Sequence, residues 1–224
     1  MIAENIAKIK AELPEGVSLI AVSKLKPAED ILEAYNAGQR LFGENYATEL
    51  RDKAAVLPKD IEWQFIGHLQ GKQLKYYIPF VSMIHGVDSV EHLQEVEKAA
   101  AKVERVVDVL LQVHVAQEET KFGFAPEDLD EPHELAQLEL PHVRVRGLMG
   151  MASHTDDKTR VRDDFRRVKS FFDSLKTAAF NDKPWFDTVS MGMSHDWQIA
   201  VEEGSTMVRL GTSIFGARDY TVKR

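Results

Sequence analysis

Short apolar runs rich in β-branched residues alternate with amphipathic stretches along the whole chain. The runs Val17–Ser23, Arg40–Gly43, Trp63–Gly67, Met83–Val87, Val107–Val113, Val143–Leu148, Asp187–Ser190 and Met207–Leu210 predict eight strands. Between them, Val161, Phe165, Val168, Phe172 and Leu175 recur at helical spacing, a stripe suited to covering a sheet. A second stripe runs through Val90, Leu93, Val96, Ala100 and Val103, and Asp88 with Glu91 at its start has the spacing of a capping box, with Asp in place of Ser or Thr. Pro27 suits the first turn of a helix after the first strand. No Ser/Gly/Pro-rich linker interrupts the pattern, so one domain over residues 1–224 is expected. Eight strand-then-helix units predict an α/β fold, a single (β/α)₈ TIM barrel, with an open doubly wound sheet as the alternative.

Composition narrows the partners. The 224 residues carry 36 acids against 28 bases, a formal charge of −8 without long basic blocks, so neither nucleic acid nor an anionic membrane is expected as a main partner. The absence of Cys excludes disulfides, thiolate metal sites and a thiol nucleophile. The opening Met-Ile-Ala-Glu-Asn lacks a basic n-region and apolar h-region, and no apolar run is long enough to cross a bilayer. A soluble cytoplasmic protein, working as a monomer, is the expectation.

In a parallel barrel the site lies where strands end and helices begin. Lys24 follows Leu-Ile-Ala-Val-Ser there. An amine among apolar walls is pushed toward its neutral, nucleophilic form, although a solvated lysine closing a strand explains the position equally well. Ser190-Met191-Gly192-Met193-Ser194 offers close backbone approach at Gly192 and either a helix cap or a phosphate donor at Ser194. Arg209 sits inside an apolar strand, where it needs an anion, an acceptor or a structural ion pair, and Gly211 and Thr212 follow as an N–H-rich turn. Loops after strands seven and eight commonly build phosphate sites in such barrels, so these two segments reinforce one another. Asn45 and His68, at the ends of strands two and three, either line the mouth or cap the next helix, and for His68 a cap or a satisfied core histidine is favoured. No metal-ligand spacing of the His-Glu-x-x-His kind and no Gly-x-Ser-x-Gly elbow is present, so neither a metal site nor a serine hydrolase is expected.

Taken together, Ala21-Val22-Ser23-Lys24 with Pro27, Phe42-Gly43-Glu44-Asn45, Phe65-Ile66-Gly67-His68-Leu69-Gln70, Lys121-Phe122-Gly123, Gly147-Leu148-Met149, Ser190-Met191-Gly192-Met193-Ser194 with Asp196, and Val208-Arg209-Leu210-Gly211-Thr212 with Ile214-Phe215-Gly216 resemble the YggS/PROSC family of pyridoxal phosphate homeostasis proteins over nearly the whole length. The resemblance implies a barrel like the N-terminal domain of alanine racemase, with Lys24 as the internal aldimine lysine of pyridoxal 5′-phosphate. It further implies Arg209 at the pyridine nitrogen, Ser194, Gly211 and Thr212 at the phosphate, and Asn45 among the cofactor-binding residues. It implies buffering or delivery of the cofactor, with apo forms of pyridoxal-phosphate enzymes as partners and no catalytic residues. The chain departs from the family at Gly71-Lys72-Gln73, where a Ser-Asn-Lys-like segment is usual.

An amino-acid racemase is the rival. Both readings need Lys24, but a racemase needs a second base, and the expectation is that a chain stopping soon after strand eight leaves no room for a further β domain. A guanidinium at the ring nitrogen also weakens the cofactor as an electron sink. A Schiff-base aldolase-like barrel without cofactor accounts for the lysine and phosphate loops but gives Arg209 no role.

Overall fold

The computed structural model describes residues 1–116, 122–125, 135 and 137–217. Eight strands, β1 (Ser18–Val22), β2 (Leu41–Glu44), β3 (Glu62–Phe65), β4 (Met83–Val87), β5 (Val107–Val113), β6 (Val143–Gly150), β7 (Thr188–Ser190) and β8 (Met207–Leu210), close into a barrel in sequence order. Every neighbouring pair is parallel, and β1 returns to β8 with Ile20 opposite Arg209. Closure rules out the open sheet.

Strand alternation divides the apolar residues into two populations. Leu19, Ala21, Phe42, Trp63, Phe65, Ile84, Val208 and Leu210 belong to the large cluster shared with the helices. Ile20, Val22 and Met207 form a separate cluster, as do Met83, Leu110 and Met149, and these fill the barrel interior. Each such side chain contributes roughly 1.5–3 kcal/mol by its burial. The interior is not wholly apolar: Gln64, His85, Ser190 and Arg209 share the inward parity and are buried.

The helix Lys158–Ala178 buries Val161, Phe165, Val168, Phe172 and Leu175, the predicted stripe, against the sheet. The helix Val90–Ala101 buries Leu93, Val96 and Ala100, but it ends before Val103, which is exposed. Its capping differs from expectation by one residue. Ser89 is the N-cap and accepts from His92 N, whereas Asp88 binds His92 Nδ1 at 2.5 Å. Pro27 precedes the helix Ala28–Asn36 as its N-cap rather than lying in its first turn.

Two further departures matter for the site. An unpredicted helix, Ile2–Glu12, buries Ile2, Ile6 and Ile9, and Asn5 Nδ2 donates to Ile214 O at 2.9 Å. It covers the barrel beside the helix after β8, which is only Thr212–Phe215 and too short to cover that flank. Between Val109 and Leu110 the β5–β6 register skips Arg146, a bulge that sharpens the bend of β6 before Gly150. Gly147 permits it: φ is +149°, and a Cβ would lie 1.8 Å from Thr188 O. Among the described residues no helix is long and apolar enough to cross a membrane.

Candidate functional site

Lys24 lies in the turn that leaves β1, partly buried at the C-terminal mouth. Leu25 beside it holds φ +61°, a left-handed conformation uncommon for a branched residue, so the turn must be imposed from outside. The clamp is polar. Leu25 N donates to Glu49 Oε1 at 2.7 Å, Lys53 Nζ donates to Ser23 O at 2.8 Å, and Ser23 Oγ donates to Glu44 Oε1 at 2.7 Å. Lys53 also bridges Glu44 and Glu49 at 2.7 and 2.8 Å. Burial pushes the Glu44 carboxyl above its ordinary value, against the attraction of Lys53. On the other side, Lys26 Nζ donates to Phe215 O and Ala217 O, tying the turn to the end of the helix after β8.

Arg209 projects into the barrel from β8 with 5% of its surface exposed. Nη1 donates to Ser190 O at 2.8 Å and to Ser190 Oγ at 2.6 Å, and Nη2 donates to Gly150 O at 3.1 Å. The structural ion pair considered for it is not formed with any described residue. Burial lowers the guanidinium to about 10, with the field of Asp196 opposing, so it remains a cation at neutral pH. Behind Ser190 stands His85, fully buried, with Nδ1 3.2 Å from Ser190 Oγ and Nε2 3.1 Å from Gln64 Oε1. Burial and the Arg209 charge hold this imidazole well below its usual value, so it is neutral.

The loops after β7 and β8 meet as expected. Ser194 Oγ accepts from Gly211 N at 3.3 Å and Ser213 N at 3.4 Å, and Arg209 N donates to Gly192 O at 3.0 Å. Ser194 therefore does not cap its own helix; Asp196 is the N-cap of Trp197–Glu202 and accepts from Met193 N at 2.6 Å. Gly192 has φ +100°, and a Cβ there would lie 2.7 Å from Ala200 Cβ, so the loop packs flat on the helix behind it. Gly211 and Thr212 begin the short helix Thr212–Phe215, with Thr212 exposed.

Asn45 and His68 stand together on the β2–β3 side, lining a cavity of about 390 Å³ with Tyr46, Thr48, Gln70 and Gln73. Asn45 Oδ1 is buried without a hydrogen-bond partner among the described residues. His68 is neither a cap nor a core histidine: it is half-exposed, stacks on Phe122 at 4.0 Å, and places Nδ1 3.6 Å from Asp88 Oδ2. Gly71-Lys72-Gln73 opens the 3₁₀ helix Gly71–Tyr76, and Gly71 is pressed against the Glu95 carboxylate. Lys121 lies outside the described residues.

Sequence reasoning missed His85, Gln64, Glu44 and Lys53. The first two were legible as polar residues at inward positions of otherwise apolar strands. For Glu44 the signal was a charge at the end of an apolar strand, and for Lys53 one on a buried helical face.

The model for the alanine racemase N-terminal domain matches residues 1–219. The pyridoxal phosphate homeostasis protein of Aquifex aeolicus is 42% identical over 203 residues, covering 90% of this chain and 87% of that one. PipY of Synechococcus elongatus PCC7942, 37% identical over 96% of this chain and 100% of its own, superposes with a TM-score of 0.90 without PLP and 0.87 with PLP bound. An alanine racemase of Clostridium difficile 630 shares the fold at a TM-score of 0.77 and 18% identity, over 98% of this chain and 60% of that one. The chain thus belongs to the alanine racemase N-terminal domain family and, within it, to the group of the pyridoxal phosphate homeostasis proteins.

Proposed function

We propose that this protein binds pyridoxal 5′-phosphate at the C-terminal mouth of its barrel and maintains the cofactor's supply in the cytoplasm, as a monomer that exchanges it with apo-enzymes. The observation that carries the reading is Arg209, a buried cation without an ion pair among the described residues, on the strand next to the one that presents Lys24. The protein meets this desolvated cation with neutral acceptors, Ser190 O, Ser190 Oγ and Gly150 O, and a further acceptor on a ligand would lower its cost. The remaining residues fit the same group. Ser194 Oγ accepts two backbone N–H bonds, which leaves its own hydrogen available to a phosphate oxygen. The flat Gly192 loop gives close backbone approach, and the buried Asn45 Oδ1 awaits a donor. PipY, at 37% identity, takes PLP on the same fold.

When bound, the cofactor supplies a reactive aldehyde. Lys24 is the amine we assign to it: its nitrogen forms a C=N bond to the aldehyde carbon as a Schiff base, and the oxygen departs as water. Ser194, with Gly211 and Thr212, holds the phosphate, and Asn45 completes the mouth. Arg209 donates to the ring nitrogen and does not protonate it, which favours storage over racemisation. The test is visible absorbance of the apo-protein titrated with pyridoxal 5′-phosphate, followed by addition of an apo-aminotransferase. A saturable band near one equivalent and recovery of the enzyme's activity are expected. No saturable band, or rapid Cα deuterium exchange of L-alanine with growth of the D-enantiomer, would contradict the proposal.

A further inference from the structure

Four polar side chains from four strands form one hydrogen-bonded chain inside the barrel: Arg209, Ser190, His85 and Gln64. Its direction is fixed at every link. A guanidinium only donates, so Ser190 Oγ must accept from Nη1 and has a single hydrogen left to give. Gln64 Oε1 at 3.1 Å from Nε2 can only accept, so the neutral imidazole carries its proton on Nε2 and Nδ1 accepts the Ser190 hydrogen at 3.2 Å. Burial and the Arg209 charge keep that imidazole neutral, so Nδ1 retains its lone pair. Both Nη1 hydrogens are then spent on Ser190 and one Nη2 hydrogen on Gly150 O. Two of the five N–H donors, one on Nη2 and the one on Nε, are unengaged by any described residue.

We infer that His85, acting through Ser190, is a positioning residue: it fixes the rotation of the Arg209 guanidinium so that one of the two remaining donors is aimed at the single lone pair of an aromatic ring nitrogen of the ligand. The inference rests on the binding reading above and extends it to residues that do not touch the ligand. Without an acceptor at Nδ1, the Ser190 hydroxyl loses the bond that fixes its rotation, its lone pairs are no longer held toward Nη1, and the guanidinium is loosened at one of its three anchors.

The test compares the affinity for pyridoxal 5′-phosphate with that for the analogue bearing C–H in place of the ring nitrogen. The folded protein should prefer the nitrogen-bearing ligand by on the order of tenfold or more, the worth of a hydrogen bond to a charged group. His85→Leu should lose this preference while its affinity for the analogue stays unchanged. His85→Asn, whose amide oxygen can stand in for Nδ1, should keep it. Should His85→Leu fail to fold, Ser190→Ala is expected to lose the preference in the same way. Equal losses for both ligands in His85→Leu, or a preference equal to that of the unsubstituted protein, would overturn the positioning role. An unsubstituted protein that binds neither ligand would overturn the binding reading instead.

Discussion

Arg209 and Ser194 mark two ends of the proposed ligand, and a pair of ligands separates their roles. Arg209→Met should weaken pyridoxal and pyridoxal 5′-phosphate alike, because the ring nitrogen proposed as its partner is common to both. Ser194→Ala should weaken only the phosphorylated ligand, by about 1.5–3 kcal/mol for a hydrogen bond to a charged group. Competition binding of the four combinations checks both expectations; a Ser194→Ala loss shared by pyridoxal would remove the phosphate role. At this scale Lys24 and Arg209 stand out in the sequence as candidates, an amine at a strand end and a cation in an apolar strand, whereas Ser194 does so only together with the loop after strand eight. His85 was harder to see. In Met83–Val87 it is one polar residue among apolar ones, and only strand pairing reveals that it shares the interior with Ser190 and Gln64.

The β1 turn is held by neighbouring elements rather than by its own sequence. Lys53, from the helix Ala47–Val56, neutralises the buried Glu44 and donates to the Ser23 carbonyl, while Glu49 on the same helix accepts from Leu25 N. Lys53→Met leaves a buried carboxylate without its cation and should cost about 3–5 kcal/mol in urea unfolding. The pH dependence has a definite sign. The folded-state value of Glu44 is raised, so between its unfolded and folded values the native state binds more protons. Stability is gained as pH falls through the folded value, and the destabilisation measured for Lys53→Met relative to the unsubstituted protein should shrink in that window. A difference that grew on acidification would refute the buried-carboxylate account. Nothing local predicts this clamp, since it joins residues 23, 25, 44, 49 and 53 across three segments. Ser89 likewise replaced Asp88 as cap because spacing alone does not decide which of two adjacent polar residues leaves the helix.

For the whole molecule, the closed barrel was legible because eight apolar runs alternate with helical stripes, but the flank after β8 was not. The short helix Thr212–Phe215 cannot cover it, and the chain's first helix does so, through Ile2, Ile6, Ile9 and the Asn5 bond to Ile214 O. Ile6→Ala should therefore cost about 2–5 kcal/mol, as for other buried large-to-small changes, read as a lower urea midpoint at an unchanged slope. A loss within about 0.5 kcal/mol, as for a surface substitution, would place that helix outside the core. The joined flank also supports the turn through Lys26, which binds Phe215 O and Ala217 O. The cofactor's attachment point bears most directly on the function. Protein loaded with one equivalent of pyridoxal 5′-phosphate, reduced with borohydride and mapped by peptide mass spectrometry, should carry a single pyridoxyl-lysine at Lys24. A modification confined to another lysine, or spread across surface lysines, would contradict the account.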